Sequence, residues 1–151
     1  MKIALVSTYP PFPCGIARYT QSLITPLSSM KGIEPVVISE GGRSENIHNC
    51  PIHDSYSRHT QFTEKILSRI EEEKPDLVHL QHAPDLFPDI EQFIQLINEI
   101  ERRGIGLVVT IHTADTGRSS RLDWKQLYTT ILSHGHIIVH NSAFRDALCY
   151  Y

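Results

Sequence analysis

The chain of 151 residues is the size of one ordinary domain, long enough to bury about two-thirds of its unfolded surface in a core of its own. With 40% hydrophobic and 21% charged residues it is no disordered chain, and a net charge of −3 without a Lys/Arg cluster excludes a nucleic-acid-binding stripe or a strong anionic-membrane footprint. Cys14, Cys50 and Cys149 are odd in number and form no C-x-x-C pair, which argues against a zinc knuckle or a disulfide framework and for reduced thiols in a cytoplasmic protein.

In chain order, Ile3 to Val6 is a continuous apolar run, the mark of a strand covered on both faces of a parallel sheet. It stops at Ser7 and meets Pro10-Pro11, too soon for the apolar core of a signal peptide. No apolar run approaches the ~20 residues of a membrane span. Pro10, Pro11 and Pro13 forbid regular structure until Gly15. A helix is predicted from Ile16 to about Leu27, with Tyr19, Leu23 and Leu27 on one stripe and Pro26 ending or kinking it. Pro35 to Ser39 is the second strand, closed by Gly41-Gly42; residues 43–60 are polar and His-rich, with at most one short strand around Ile47 to Ile52. Phe62, Ile66, Leu67 and Ile70 have helical spacing that Lys74-Pro75-Asp76 terminates, and Leu77 to Leu80 is the next strand.

Ile90 to Arg103 carries the apolar stripe Phe93, Ile94, Ile97 and Ile100, with Gly104 as its stop. Leu107 to Ile111 is a β-branched strand, Trp124 to Leu132 a helix, and Ile137 to Val139 the last strand. Ser142 is the expected cap of a final helix from Ala143. Strands alternating with helices of these lengths imply right-handed crossovers and a Rossmann-like, doubly wound, mostly parallel α/β sheet with helices on both faces.

In such sheets ligands bind beyond the carboxyl ends of the strands, at a topological switch point. That rule selects Ser7-Thr8-Tyr9, Glu40-Gly41-Gly42, Gln81-His82, His112-Thr113 and His140-Asn141-Ser142, a rim rich in hydroxyl, amide and imidazole groups suited to a polyhydroxylated ligand. The loop from Pro10 to Gly15 opens a helix amino terminus, where free N–H groups favour an anion and Gly15 puts no Cβ in its way. With no G-x-G-x-x-G or Walker pattern present, the residues alone favour a plain loop with a glycine before a helix. His79 and His82 fall on opposite faces of a strand and do not jointly ligate a metal. His112 emerges from a buried strand into the crevice, where a neutral imidazole either bonds a ligand hydroxyl or phosphate or serves as a core histidine bonded to backbone.

Four stretches resemble a known family in the right order. Met1 to Leu27, beginning M-K-I-A-L-V-S-T-Y-P-P-F-P-C-G-I-A-R-Y, is similar to the opening of family-four (group one) glycosyltransferases of the GT-B fold. Pro75 to His82 resembles their P-D-x-V-H-x-x-H segment, Val108 to Thr113 their V-V-T-x-H-T strand end, and His136 to Ser142 the segment before the last helix of the acceptor domain. The resemblance implies a retaining, metal-independent transfer of a sugar from a nucleotide diphosphate sugar, with no cofactor, to a glycan or glycolipid. By position it implies that Gly15, with Cys14 and Ile16, lies against the donor diphosphate and that His112 is the active-site imidazole contacting the donor sugar. Tyr9 and Thr113 fall on the acceptor side, with Gln81 and His82 nearby. Cys14 departs from the pattern, standing where the family usually has the first of two glycines.

The resemblance further implies a carboxy-terminal Rossmann domain, in cis or on another chain, that holds the nucleotide with paired glutamates. Residues 1–151 are thus expected to be an amino-terminal half that is incomplete alone, cytoplasmic and at most peripheral to a membrane. The competing reading is a non-catalytic sugar- or nucleotide-binding module of the same fold, or a regulator of a partner. A receiver-like protein is disfavoured, because Ser7-Thr8-Tyr9 stands where a receiver has paired acids.

Overall fold

A computed structural model describes residues 1–41, 44–47, 49–113 and 124–149. Continuous apolar runs become the central strands β1 (Lys2–Thr8), β2 (Glu34–Glu40), β5 (Leu77–His82) and β6 (Gly106–Ile111). β3 (Glu45–Ile47) and β4 (Cys50–Tyr56) lie at one margin and β7 (His136–Val139) at the other. The seven strands run in the order β3-β4-β2-β1-β5-β6-β7, and all pairs are parallel except β3 with β4. The chain winds outward from β1 through β2 to β4, then returns to place β5 on the other side of β1. The switch point therefore falls between the carboxyl ends of β1 and β5.

Two helical layers cover the sheet. On one face α1 (Gly15–Ser29) lays Ile24, Leu23 and Leu27 over Ile3, Leu5, Val37 and Ile52. On the other, α2 (Phe62–Glu73), α3 (Ile90–Arg102) and α4 (Trp124–His134) cover Ala4, Val6, Val36, Ile38, Val78, Leu80, Val109 and Ile111. Phe93, Leu96, Ile97 and Ile100 of α3 are fully enclosed, each worth about 1.5–3 kcal/mol relative to exposure. Asp89 caps α3, its carboxylate accepting from the backbone N–H of Gln92 at 3.0 Å and from the Gln92 amide at 2.9 Å. The last helix, α5 (Ser142–Leu148), follows β7.

Three local expectations are corrected. Cys50–Tyr56 is a full strand pairing in parallel with β2, although its sequence alternates polar and apolar residues and holds Pro51. Its Cys50, Ile52 and Tyr56 are buried while the residues between are not, so the alternation is that of a margin strand. Helix α1 runs through Pro26 to Ser29; the proline sits in the last turn, on the exposed side, where little helix remains to be disturbed. The cap of α5 is Asn141, whose side-chain oxygen accepts from the Phe144 N–H at 2.9 Å, and Ser142 is the first helical residue. Gly42, expected to help close β2, lies outside the described residues.

Gly135 joins α4 to β7 where no side chain fits: a Cβ there would stand 2.5 Å from the carbonyl oxygen of Leu107. Because that neighbour is sheet backbone, it cannot yield without disturbing the β6–β7 ladder. Gly135→Ala is expected to destabilise the fold by about 1–3 kcal/mol, measured as a lowered urea midpoint at unchanged m.

Candidate active site

Beside the switch point, at the carboxyl ends of β5, β6 and β7, polar side chains form one connected chain. At the exposed end, His140 Nε2 lies 3.1 Å from His112 Nδ1. His112 Nε2 meets the Gln81 side-chain oxygen at 2.8 Å, and the Gln81 nitrogen lies 3.1 Å from His79 Nε2. His79 Nε2 in turn stands 2.7 Å from the Thr110 hydroxyl. Strand alternation explains the grouping. His79 and Gln81 point to the same face of β5, and Thr110 and His112 to the same face of β6, in ladder register.

This is the α1 side of the sheet. Tyr19, one turn into α1 from Gly15, presents its ring edge-on to His112 at 5.0 Å and to His140 at 5.2 Å. Tyr19 therefore links the first turns of α1 to the imidazole pair. Burial holds His112 neutral, lowering its pKa to about 4 with the neighbouring His140 and His79 adding to the effect. Burial lowers His79 likewise, to about 4.

The amino terminus of α1 is uncapped: Cys14 makes no side-chain capping bond, and no acidic residue occupies the first turn. Its free N–H groups and dipole end face a cavity of about 270 Å³ lined by Pro13, Cys14, Gly15 and Arg18. A larger hollow of about 470 Å³ lies between α3 and α4, but none of the strand-end side chains lines it. The loops around the rim are tied together by Arg58. Its N–H and Nε bond the two oxygens of buried Glu40 at 2.7 and 2.6 Å, a guanidinium nitrogen donates to the Asp85 carbonyl, and the ring of Phe12 lies 5.3 Å beneath it. This clamp carries no sequence signature, since Glu40 ends β2 while Phe12 and Arg58 come from two separate loops.

Of the residues expected at the site, Cys14 and Gly15 line the cavity at the α1 start, Ile16 packs against the core, and His112 meets Tyr19, four residues beyond Gly15; Thr113 is exposed next to His112. Gln81 reaches the same face but is fully enclosed, bonding His112 and His79. Tyr9 is 1% exposed, folded into the apolar layer beneath α1 with Ile24 and Cys50; it does not reach the rim surface. His82 points to the opposite face, 0% exposed, among Phe93, Phe87 and Trp124 at ring distances of 4.7, 6.2 and 6.5 Å. Neither of its ring nitrogens has a hydrogen-bond partner among the described residues, and burial lowers its pKa to about 3. Residue alternation placed His79 and His82 on opposite faces, and the structure does so. Among the described residues no three His, Cys, Asp or Glu side chains gather to hold a metal ion, and no helix is long and apolar enough to cross a membrane.

The family model described as Glycosyltransferase Family 4 matches residues 13–151. A solved structure, that of a conserved protein from Enterococcus faecalis V583, aligns with 99% of this chain and 99% of its own at a TM-score of 0.50 and 13% sequence identity, a likeness of fold alone. No curated protein matches the chain in sequence.

Proposed function

Since this chain belongs to glycosyltransferase family 4, an assignment that carries glycosyl transfer with it, we propose that it is the acceptor-side domain of a retaining, metal-independent enzyme. The enzyme moves a sugar from a nucleotide diphosphate sugar to a glycan or glycolipid. A carboxy-terminal domain, in cis or on another chain, supplies most of the nucleotide site. The observation that supports this reading best is the pairing, across Tyr19, of an uncapped helix start with a neutral imidazole.

The chemistry follows from that pairing. The donor diphosphate gains negative charge as the glycosidic bond breaks, and the first-turn N–H groups at Gly15 and Ile16, with Arg18 one turn on, meet it with fixed positive dipoles and a cation. His112 holds a hydroxyl of the donor sugar, and the acceptor approaches over Thr113. The departing phosphate takes the acceptor proton on the same face, so the protein's part is to hold both substrates and stabilise leaving-group charge.

Gly15 offers the sharpest test, because the fold does not need a glycine there. A Cβ at Gly15 meets nothing within 4 Å, and its backbone has no positive φ. In the complete protein, carboxy-terminal domain included, Gly15→Val should leave the melting temperature within about a degree of the wild type. It should weaken binding of a nucleotide diphosphate sugar at least tenfold by calorimetry, a branched side chain standing between phosphate and backbone. Equal affinity in the two proteins would remove the α1 start from the donor site. Donor binding without any transfer to glycan acceptors would favour a non-catalytic binding module.

A further inference from the structure

Both nitrogens of the His112 ring are engaged within the protein, and unequally. Nε2 meets the Gln81 oxygen at 2.8 Å, and Gln81 is 0% exposed, fixed on its other side by His79, which is itself tied to Thr110. Nδ1 meets His140 at 3.1 Å, and His140 is exposed at the end of β7. A carboxamide oxygen has no hydrogen to give, so the nitrogen facing it carries the proton. In a neutral ring the other nitrogen is then bare and accepts, here from His140.

We propose that Gln81 is a positioning residue that locks His112 in the Nε2–H tautomer, leaving Nδ1 as a hydrogen-bond acceptor that His140 occupies until a ligand hydroxyl replaces it. The Gln81 bond is enclosed and its partners are fixed, so it persists through binding. The His140 bond lies at the surface and exchanges. What His112 then offers is an acceptor matched to a sugar O–H, while a phosphate oxygen, itself only an acceptor, finds no donor at Nδ1. That ligand assignment rests on the glycosyl-transfer reading; the tautomer does not.

The test is long-range proton–nitrogen NMR on the histidine-labelled protein at neutral pH with no sugar present, His112 being assigned by loss of its signals in His112→Gln. The wild type should show a protonated-type signal for Nε2 and a bare-type signal for Nδ1. Gln81→Leu should collapse this into the averaged signals of mixed tautomers, Gln81→Glu should restore Nε2–H because a carboxylate also only accepts, and His140→Ala should shift Nδ1 alone. A wild-type ring carrying its proton on Nδ1 overturns the proposal, even where Gln81→Leu does not fold. So does a single unchanged tautomer in a folded Gln81→Leu. Either result leaves the glycosyl-transfer reading standing, and a null Gly15→Val result in turn leaves the tautomer standing.

Discussion

Replacing His112 with alanine in the complete two-domain protein is expected to slow sugar transfer by a factor of roughly a hundred to a thousand, the loss seen when one fixed polar group is removed from a transition-state pocket. Folding should survive. The imidazole is only half-buried at a strand end, and its backbone N–H bond to the His82 carbonyl at 2.9 Å is untouched by the substitution. The principal cost is to Gln81, whose enclosed oxygen loses its 2.8 Å partner, about 1–3 kcal/mol. A kcat that falls with KM nearly constant would mean that the imidazole acts at the transition state. A raised KM at constant kcat would mean that it serves binding alone. Turnover like that of the wild type would remove His112 from the reaction. His112→Gln is the informative companion, because an amide keeps both a donor and an acceptor but not the ring.

The architecture was legible because the central strands are continuous apolar runs bounded by proline and glycine, a pattern that fits only a sheet covered on both faces. β4 escaped because Cys50–Tyr56 alternates and carries a proline, so its sequence reads as loop until β2 is present to pair with it. For the candidate site, the rule of strand carboxyl ends pointed to the edge where Gln81, His112 and His140 meet, and residue alternation separated His79 from His82. Burial was not legible. Tyr9 was expected to reach outward after β1, yet it turns beneath α1, and only the packed helix reveals that. His82 looks polar and available in the string of residues; its enclosure is made by Phe87, Phe93 and Trp124, which are brought together by tertiary structure alone. Tyr19 was read only as a stripe residue of α1, and no local pattern marks it as the link between helix start and imidazole.

The same enclosure makes His82 a source of acid sensitivity beside His79 and His112, whose pKa burial lowers to about 4. The folded pKa of His82 lies near 3 against an ordinary value of 6.5, held down first by burial and then by His112. The unfolded chain therefore binds a proton below pH 6.5 that the folded chain refuses. Stability from this residue is fully present above that pH and is lost as pH falls through it toward 3. At 1.36 kcal/mol per unit the loss reaches about 2 kcal/mol by pH 5. His82→Phe removes the titration and places an apolar ring among aromatic neighbours. At pH 7 the relief of two unpartnered buried nitrogens, about 1–3 kcal/mol, is set against a similar cost of overpacking by the larger ring. Between pH 7 and pH 5 no such cancellation operates, and urea unfolding should show the stability of the variant gaining about 2 kcal/mol on the wild type. Parallel pH profiles for the two proteins would show that His82 takes up its proton in the folded state as easily as in the unfolded one, and that the aromatic enclosure does not exclude charge.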